Sequence, residues 1–409
     1  MSSDLAGAAA GAAATAAIRL AGVCDGPDAE VNELLATVGL ADHHVHGIVR
    51  GAVDEAGLAD MLIESDRRSA AVAAGYDTQV WHAVRRWCAP VLGLSASAPA
   101  AEYVAARLAL GQEAVASAML PLAGFNHLVV ETGFRGDLIS PPAELAALAG
   151  APATRVIRVE ALAERLIATL ADPWTYPDAF RVALAAERTG SDPIVGTKTI
   201  LAYRGGFDRD LARPSDDAAA QASATWSAEV RAGRTARLTS DVLLRFGIWA
   251  AVDTGLPLQV HTGFGDPDLD LHRADPLLLT DFIRATEERA AILLLHTYPF
   301  QRNAGYLAQM FPHVYLDVGL AINYAGAAST ALVTESLELA PFRKLLFSSD
   351  AWGAPELHLL GSWLFRRAMS RILGEWVVRG DWSRADAERV AELIAGDNVR
   401  RVYRLPTAA

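Results

Sequence analysis

The sequence predicts an α/β protein built on a (β/α)8 barrel, in which eight parallel strands alternate with helices. Short apolar runs recur from about residue 38 to the C-terminus, and amphipathic stretches of helical length separate them. Several of these runs end in a polar side chain that could do chemistry. Since the C-terminal ends of all barrel strands meet at one mouth, side chains that are distant in sequence could share one site there.

Eight segments fit the strand pattern. They are residues 38–42, 127–131, 155–160, 194–198, 256–261, 291–296, 314–317 and 345–350. Their final residues are Asp42, Glu131, Glu160, Lys198, His261, His296, Asp317 and Asp350. Apolar strand bodies with polar ends are what a site at the barrel mouth requires.

The domain organisation follows from the length of 409 residues, which one barrel with insertions can reach. We predict an N-terminal helical segment over residues 1–37 and a barrel over residues 38–409. Residues 50–120 contain at least three helical patterns between the first and second strands, so we predict a helical insertion that caps the barrel. Ser383 followed by Asp386 predicts the start of an extra C-terminal helix.

Composition excludes several classes of partner. The chain has 36 Lys and Arg against 48 Asp and Glu, and no basic stripe of the kind that binds nucleic acid. No apolar run approaches the about 20 residues of a membrane span. Cys24 and Cys88 are isolated, which favours a reducing compartment, and Asp4 stands where an export signal would be basic. We expect a cytoplasmic homo-oligomer whose partner is a small-molecule substrate.

The most informative local motif is the segment 42–47, Asp-His-His-Val-His-Gly, directly after the first apolar run. Alternate residues of an extended segment point to the same side, so His44 and His46 can present two imidazoles to one cation. Such a pair alone is weak evidence, because histidine-rich loops are often only surface features.

Later strand ends strengthen this interpretation. His261 and His296 end two further apolar runs, and Asp350 ends another, although the chain has only 10 histidines. Placing unpaired imidazoles in a protein interior costs free energy, so chance is a poor explanation. The sequence therefore predicts a metal site at these strand ends, and imidazole ligands suit zinc and related first-row metals.

The order of these residues resembles the amidohydrolase superfamily. In that family the first-strand histidine pair binds metal, the histidines of strands 5 and 6 bind metal or substrate, and the strand-8 aspartate binds metal and moves a proton. The segments 42–47, 197–204 and 347–356 are most similar to the amidohydrolase-2 group. That group includes the amidohydrolase half of fungal and plant proteins fused to a glutamine-synthetase-like domain.

The resemblance implies a TIM barrel of the metal-dependent hydrolase type. It also implies a divalent metal, zinc before manganese or iron, whose ligands are His44, His46, His261 and Asp350, and it implies an activity. Metal-activated water would cleave a C–N, amide-type bond, with Asp350, His296 and Lys198 as the catalytic residues. Relatives with the same ligands include decarboxylases and sugar-acid isomerases, so a metal-dependent enzyme of one of those kinds is the alternative. A non-catalytic scaffold is a third hypothesis, which the complete ligand set disfavours.

Lys198 leaves three interpretations open. In some relatives a strand-4 lysine is carboxylated and bridges two metals, whereas others hold a single metal without that bridge. An uncarboxylated lysine beside a cation would tend to lose its proton or to pair with a substrate carboxylate. We favour one metal and an amine at Lys198; a carboxylated bridge and a peripheral lysine are the alternatives.

Five further residues are candidates for substrate binding. They are Arg204, Glu131, Glu160, Arg86 and Trp87. The arginine, six residues after Lys198, favours a carboxylate-bearing substrate. The two glutamates could bind a substrate amine, support the metal ligands or form buried ion pairs. The arginine and tryptophan of the helical insertion could close over the barrel mouth, although a surface helix with one aromatic packed inward explains them nearly as well.

Overall fold

The structure is a computed structural model that describes residues 22–67 and 72–406. Seven parallel strands form one sheet, and their order in the sheet is their order along the chain. The strands are β1 (Leu40–Val45), β2 (Phe125–Glu131), β3 (Ala153–Arg158), β4 (Ile194–Thr199), β5 (Leu258–Thr262), β6 (Ile292–His296) and β7 (Val314–Leu316). Every residue of β1, β5 and β6 is buried, as expected where helices cover a parallel sheet.

The eighth predicted strand, residues 345–350, is an extended segment and not a regular strand, so that part of the prediction is corrected. It nevertheless lies between the two edges of the sheet. Its backbone bonds join Leu346 N to Leu316 O of β7 (3.0 Å), His43 N of β1 to Phe347 O (3.1 Å), and Asp350 N to His44 O (3.0 Å). The ladder is irregular because the buried Asp42 carboxylate accepts the Ser349 N–H at 3.1 Å. The arrangement is consistent with a TIM barrel.

Helices fill the chain between β1 and β2. In the described part they are α2 (Glu55–Met61), α3 (Gln79–Cys88), α4 (Ala100–Leu110) and α5 (Gln112–Met119), after α1 (Ala29–Thr37). Side chains at their N-termini explain where two of them begin: Asp54 accepts a bond from Gly57 N, and Thr78 accepts one from Trp81 N. The predicted helix within residues 1–21 lies outside the described residues.

The remaining helices follow the strands or close the chain. They are α6 (Pro142–Ala149), α7 (Val159–Thr169), α8 (Tyr176–Thr189), α9 (Asp216–Arg231), α10 (Asp241–Asp253), α11 (Thr280–Ala285), α12 (Gln301–Met310), α13 (Ala321–Ala325), α14 (Ser329–Leu337), α15 (Pro355–Arg379), α16 (Arg384–Glu392) and α17 (Asn398–Tyr403). Ser383 caps α16 as predicted, accepting a bond from Asp386 N at 3.1 Å. Glu160, predicted to end the third strand, lies in the first turn of α7 instead.

The long helix α15 anchors the N-terminal part of the described chain. Its buried Arg366 donates to Leu35 O (2.5 Å) and Val38 O (2.7 Å), the free carbonyls at the end of α1, and to Gly124 O just before β2 (3.0 Å). Among the helices of residues 22–67 and 72–406, none has both the length and the hydropathy needed to cross a bilayer.

Candidate metal centre

Three predicted ligands meet at the end of the sheet. His44, His46 and Asp350 each offer one ligand atom, and these atoms lie within 4.8 Å of one another. The distance from His44 Nε2 to Asp350 Oδ1 is 3.0 Å, and that from His46 Nε2 to the same oxygen is 3.3 Å. The alternation of β1 places both imidazoles on one side, and the extended segment beside β1 supplies the carboxylate.

The ring of His44 is held by Gln259. The carboxamide nitrogen of Gln259 donates to His43 O (2.8 Å) and to the Tyr403 hydroxyl (2.7 Å), so its oxygen faces His44. That oxygen lies 2.8 Å from His44 Nδ1 and can only accept, which makes Nδ1 the protonated nitrogen. The lone pair of His44 Nε2 is therefore directed at the centre.

The ring of His46 also directs a free Nε2 at the centre, but a different partner holds it. Its Nδ1 lies 3.2 Å from the backbone oxygen of Glu131, at the end of β2. A carbonyl oxygen is an acceptor, so Nδ1 carries the proton and Nε2 is free to bind a cation. The Glu131 carboxylate lies 3.7 Å from the same nitrogen, and its negative charge stabilises this orientation.

Electron-rich atoms thus converge, and Lys198 Nζ, 3.0 Å from His44 Nε2, is the one donor to this group among the described residues. Two imidazole lone pairs face Asp350 Oδ1, and this oxygen has no hydrogen-bond donor among the described residues. Both ring nitrogens of the buried His296 also lack a hydrogen-bond partner there. Such an arrangement is repulsive unless a positive charge lies within it. Two imidazoles and a carboxylate are a donor set that suits a divalent metal, and the residues therefore fit one.

His296 and His261 lie beside this cluster. His296 Nε2 is 3.5 Å from Asp350 Oδ2, and its ring centre is 5.5 Å from that of His44 and 4.5 Å from that of His261. His261 lies outside the three-residue cluster, because its Nε2 is 3.1 Å from the backbone oxygen of Phe264. It lines the same cavity, and its role as a metal ligand stays a prediction.

Burial keeps these histidines neutral. It lowers the pKa of His44 to about 4, with the nearby Lys198 charge adding to the effect, and it lowers the pKa values of His261 and His296 well below the ordinary value. Burial would raise the pKa of Asp350, but His296 and His44 hold it well below its usual range. Neutral imidazoles and an ionised carboxylate are the forms that bind metals.

Lys198 is in direct contact with the cluster. Its buried Nζ lies 3.0 Å from His44 Nε2. Burial lowers the pKa of the amine to about 8, an effect that the negative Asp350 opposes and the positive Arg158 reinforces. The amine thus loses its proton more easily than an exposed lysine does. Lys198 lies at the centre, and its catalytic role stays a prediction.

The two glutamates form the layer behind the centre. Glu131 is fully buried and pairs with Arg158 Nη2 at 2.6 Å; this pairing outweighs the effect of burial and lowers the glutamate pKa to about 2. Glu160 accepts bonds from Thr199 Oγ1 (2.5 Å) and Ile200 N (3.1 Å), and burial raises its pKa. Their predicted contact with substrate stays a prediction.

Arg86 and Trp87 lie away from the centre in the described structure. The guanidinium of Arg86 stacks 4.8 Å from the ring centre of Trp87. That ring meets Trp363 of α15 edge-on, with 6.0 Å between ring centres. The pair thus packs helix α3 against α15, and a role in substrate binding stays a prediction.

A cavity of about 440 Å³ opens beside the centre. His46, Lys198, His261 and Asp350 form part of its wall. Its basic lining is completed by Arg135, Arg158, Arg204 and Arg237, and its other acidic residues are Asp60, Glu64, Asp66, Asp266 and Asp268. Aromatic side chains lie among them, namely Phe134, Tyr203 and Trp352. Of the predicted substrate-binding residues, Arg204 lies in this wall.

Sequence reasoning missed several lining residues. Phe134, Arg135 and Arg158 lie at or just after the ends of β2 and β3, where a barrel places its site, so their position was a usable signal. Glu64 follows α2 within the helical insertion, and no motif marks it.

Comparison with known proteins agrees with this geometry. Residues 205–405 match the amidohydrolase family. Protein fluG of Emericella nidulans is 30% identical over 288 residues, which are 62% of this chain and 33% of fluG. The chain thus spans about a third of the length of this curated relative.

Solved structures share the fold. A candidate metal-dependent hydrolase from Lactobacillus casei has a TM-score of 0.79 and 27% identity, covering 91% of this chain and 96% of its own. Uronate isomerase from Bacillus halodurans (TM-score 0.60, 14% identity, 92% of this chain and 96% of its own) and glucuronate isomerase from Caulobacter crescentus (0.58, 16%, 93% and 94%) are similar in fold alone. The fold, the histidine and aspartate cluster and these matches agree in one respect: the chain is similar to proteins of the amidohydrolase family, whose model matches residues 205–405.

Proposed function

We propose that the protein is a metal-dependent amidohydrolase that cleaves a C–N, amide-type bond of a small carboxylate-bearing substrate by attack of water. The convergence of His44, His46 and Asp350 carries this proposal, with both Nε2 atoms directed at the carboxylate beside a cavity of about 440 Å³. The match of residues 205–405 to the amidohydrolase family supports it.

A divalent ion would be held by His44, His46 and Asp350, with His261 as a fourth ligand after its Nε2 turns from Phe264. Zinc suits this set of nitrogen and oxygen donors, and manganese or iron are the alternatives. When bound, such an ion polarises a carbonyl group and lowers the pKa of water toward about 7.

Asp350 and His296 do the proton chemistry in this mechanism. Asp350 is an ionised carboxylate at the barrel mouth, so it can take a proton from the attacking water and deliver it to the leaving nitrogen. His296 is neutral, and its ring nitrogens have no partner among the described residues. Its N–H can therefore donate to the carbonyl oxygen of the substrate as negative charge develops there.

The arginines of the cavity wall support a carboxylate on the substrate. Burial lowers the pKa of Arg204, and the positive charges of Arg237 and Arg158 contribute to the shift. Each arginine already has one carboxylate partner, so a ligand carboxylate would bind their remaining N–H groups. The pairs are Arg158 with Glu131, Arg204 with Glu164 and Arg237 with Asp268. Arg204 is oriented by its bond to Leu238 O at 3.0 Å. Lys198, as an amine 3.0 Å from His44, is proposed to act beside a single metal ion.

The proposal is tested on the purified protein by elemental analysis together with a screen for amine or ammonia release. The panel contains N-acyl and γ-glutamyl amides that carry a carboxylate. We expect about one equivalent of divalent metal and release of an amine. His44→Ala should lose both, whereas His272→Ala, which changes an exposed histidine, should lose neither.

Other outcomes separate the alternatives. Release of carbon dioxide from the acids of the panel would favour a decarboxylase. Interconversion of uronic acids without release of a product would favour a sugar-acid isomerase, which the isomerase structures above support through fold alone. Protein that cannot be loaded with metal would contradict both readings and favour a scaffold. The predicted homo-oligomer and cytoplasmic location stay predictions.

A further inference from the structure

Glu64 brings a carboxyl group from the helical insertion to the candidate centre. It follows α2 by three residues, and its side chain lines the same cavity as Asp350, Lys198 and His261. Strand ends and the loops that follow them supply most of the wall, whereas Glu64 belongs to the helical segment between β1 and β2. No motif or spacing in the sequence marks Glu64 as a site residue.

Two elements hold this carboxyl group in place. The hydroxyl of Tyr324, on α13 after β7, forms a hydrogen bond with the Glu64 side chain. The same hydroxyl lies 3.4 Å from the backbone oxygen of Met61, the last residue of α2. The Tyr324 ring also packs against Phe264, with 5.7 Å between ring centres. Glu64 is therefore oriented before any ligand enters, which lowers the entropic cost of binding to it.

The charges around Glu64 favour a positive ligand group. Burial, followed by the negative charges of Asp350 and Asp266, raises the pKa of Glu64 well above its ordinary value. Lys198 opposes this shift, and a metal ion on Asp350 would leave Asp266 as the acidic neighbour whose repulsion a cationic group of the substrate relieves. The ring of Tyr203 also lines this part of the cavity and can face a cation.

Both kinds of charge line the cavity. Arg158 and Arg237 are close enough to shift the pKa of Arg204, and Asp266 and Asp350 are close enough to shift that of Glu64. The two sets adjoin, because Arg237 also pairs with Asp268 at 2.7 Å. A substrate with one negative and one positive group could therefore satisfy both sets. A substrate with a carboxylate alone would satisfy only the arginines.

We propose that Glu64 is a specificity-determining residue that binds an ammonium group of the substrate. The inference rests on the proposed function and narrows it to amides with an amino-acid-like end, whose carboxylate the arginines would bind and whose ammonium group Glu64 would bind. The Glu64 carboxylate would supply the negative charge that binds the ammonium group, and the hydrogen bond from Tyr324 orients that carboxylate.

The test compares two pairs of probes that differ only in the amino group. Binding of L-glutamate and of glutarate to the zinc-loaded protein is measured by calorimetry, and hydrolysis is measured with L-γ-glutamyl-4-nitroanilide and glutaryl-4-nitroanilide. We expect the wild-type protein to prefer the ammonium-bearing probe of each pair by about tenfold or more, the usual gain from a charged hydrogen bond. Glu64→Gln should reduce this ratio to about one.

Matched variants distinguish the loss of the Glu64 charge from a loss of folded structure. Glu102→Gln, at an exposed position of α4 in the same insertion, should retain the preference. Glu64→Asp keeps the charge with a shorter reach and should retain part of it. Circular dichroism and metal content, unchanged in all three variants, show that the fold and the centre are intact.

The two proposals fail in different ways. Selective binding of L-glutamate that depends on Glu64, without hydrolysis of either anilide, would reject amide hydrolysis and support the role of Glu64. Equal or absent binding of both probes by the wild-type protein, or a preference that survives in Glu64→Gln, would overturn the role of Glu64 even if anilides are cleaved.

Discussion

Gln259 and His44 form the contact that orients the candidate metal centre. The Gln259 side-chain oxygen lies 2.8 Å from His44 Nδ1, while its nitrogen donates to the Tyr403 hydroxyl at 2.7 Å. Tyr403 is the last residue of α17, and its hydroxyl is also 3.1 Å from His43 Nδ1. A residue near the C-terminus thus fixes a ligand at the end of β1.

Replacement of this glutamine should weaken metal binding. In Gln259→Leu the His44 ring loses its acceptor, so its Nε2 is no longer fixed as the free nitrogen. We expect zinc affinity to fall by about 10- to 100-fold, the usual loss when such a supporting contact is removed. Competition with a chromogenic chelator measures it. Gln221→Leu, at an exposed site on α9, is the control, and an unchanged affinity in Gln259→Leu would contradict the orienting role.

Substitution of Asp350 should affect turnover more than metal binding, whereas substitution of a histidine ligand should affect both. Asp350→Asn keeps an oxygen ligand but removes the proton acceptor, so most of the metal should remain while turnover falls by about 100-fold or more. His44→Ala should lose both metal and turnover. Elemental analysis and kcat measured on the same preparations test this pair, and near-normal kcat in Asp350→Asn would remove Asp350 from proton transfer.

Lys198→Met tests the role of the buried amine. If Lys198 is an amine beside one metal, the metal content should stay near one equivalent while activity falls, because the side chain contacts His44 at 3.0 Å. A carboxylated lysine bridging two metals would instead give two equivalents in the wild-type protein and fewer in the variant. Elemental analysis in buffer with and without bicarbonate distinguishes the two results.

His127 should make the protein less stable in mild acid. Burial, together with the positive charge of Arg400, lowers its pKa from 6.5 to about 4 in the folded state. Between these values the unfolded chain binds the proton and the folded chain does not, so stability is complete above pH 6.5 and is lost as the pH falls toward 4.

Replacement of His127 should remove this part of the pH dependence. Relative to the wild-type protein, His127→Gln should reduce the loss of unfolding free energy between pH 7.5 and 5 by about 1–2 kcal/mol. Urea denaturation at the two pH values measures it. His272→Gln, at an exposed position, should change nothing, and parallel curves for His127→Gln and wild type would show that His127 does not contribute.

Local sequence patterns were sufficient for most of the strands and for naming three candidate ligands, His44, His46 and Asp350, that the structure brings together. Seven of the eight predicted strands are present. They could be predicted because a short apolar run between two helical patterns is a local feature of the sequence. The alternation of His44 and His46 likewise follows from strand geometry alone. Glu160 was misplaced because Val156, Ile157 and Val159 favour a strand, whereas the chain turns into α7 after Arg158.

Tertiary structure decided how those residues are used. The tautomers of the two histidines depend on Gln259 and on the backbone of Glu131, and the Asp42 carboxylate replaced regular pairing in the segment 345–350. Glu64 lines the same cavity as Asp350 because tertiary packing brings the segment between β1 and β2 to the strand ends. Residue types and their periodicity are properties of the chain, but contacts between distant segments exist only once packing brings them together.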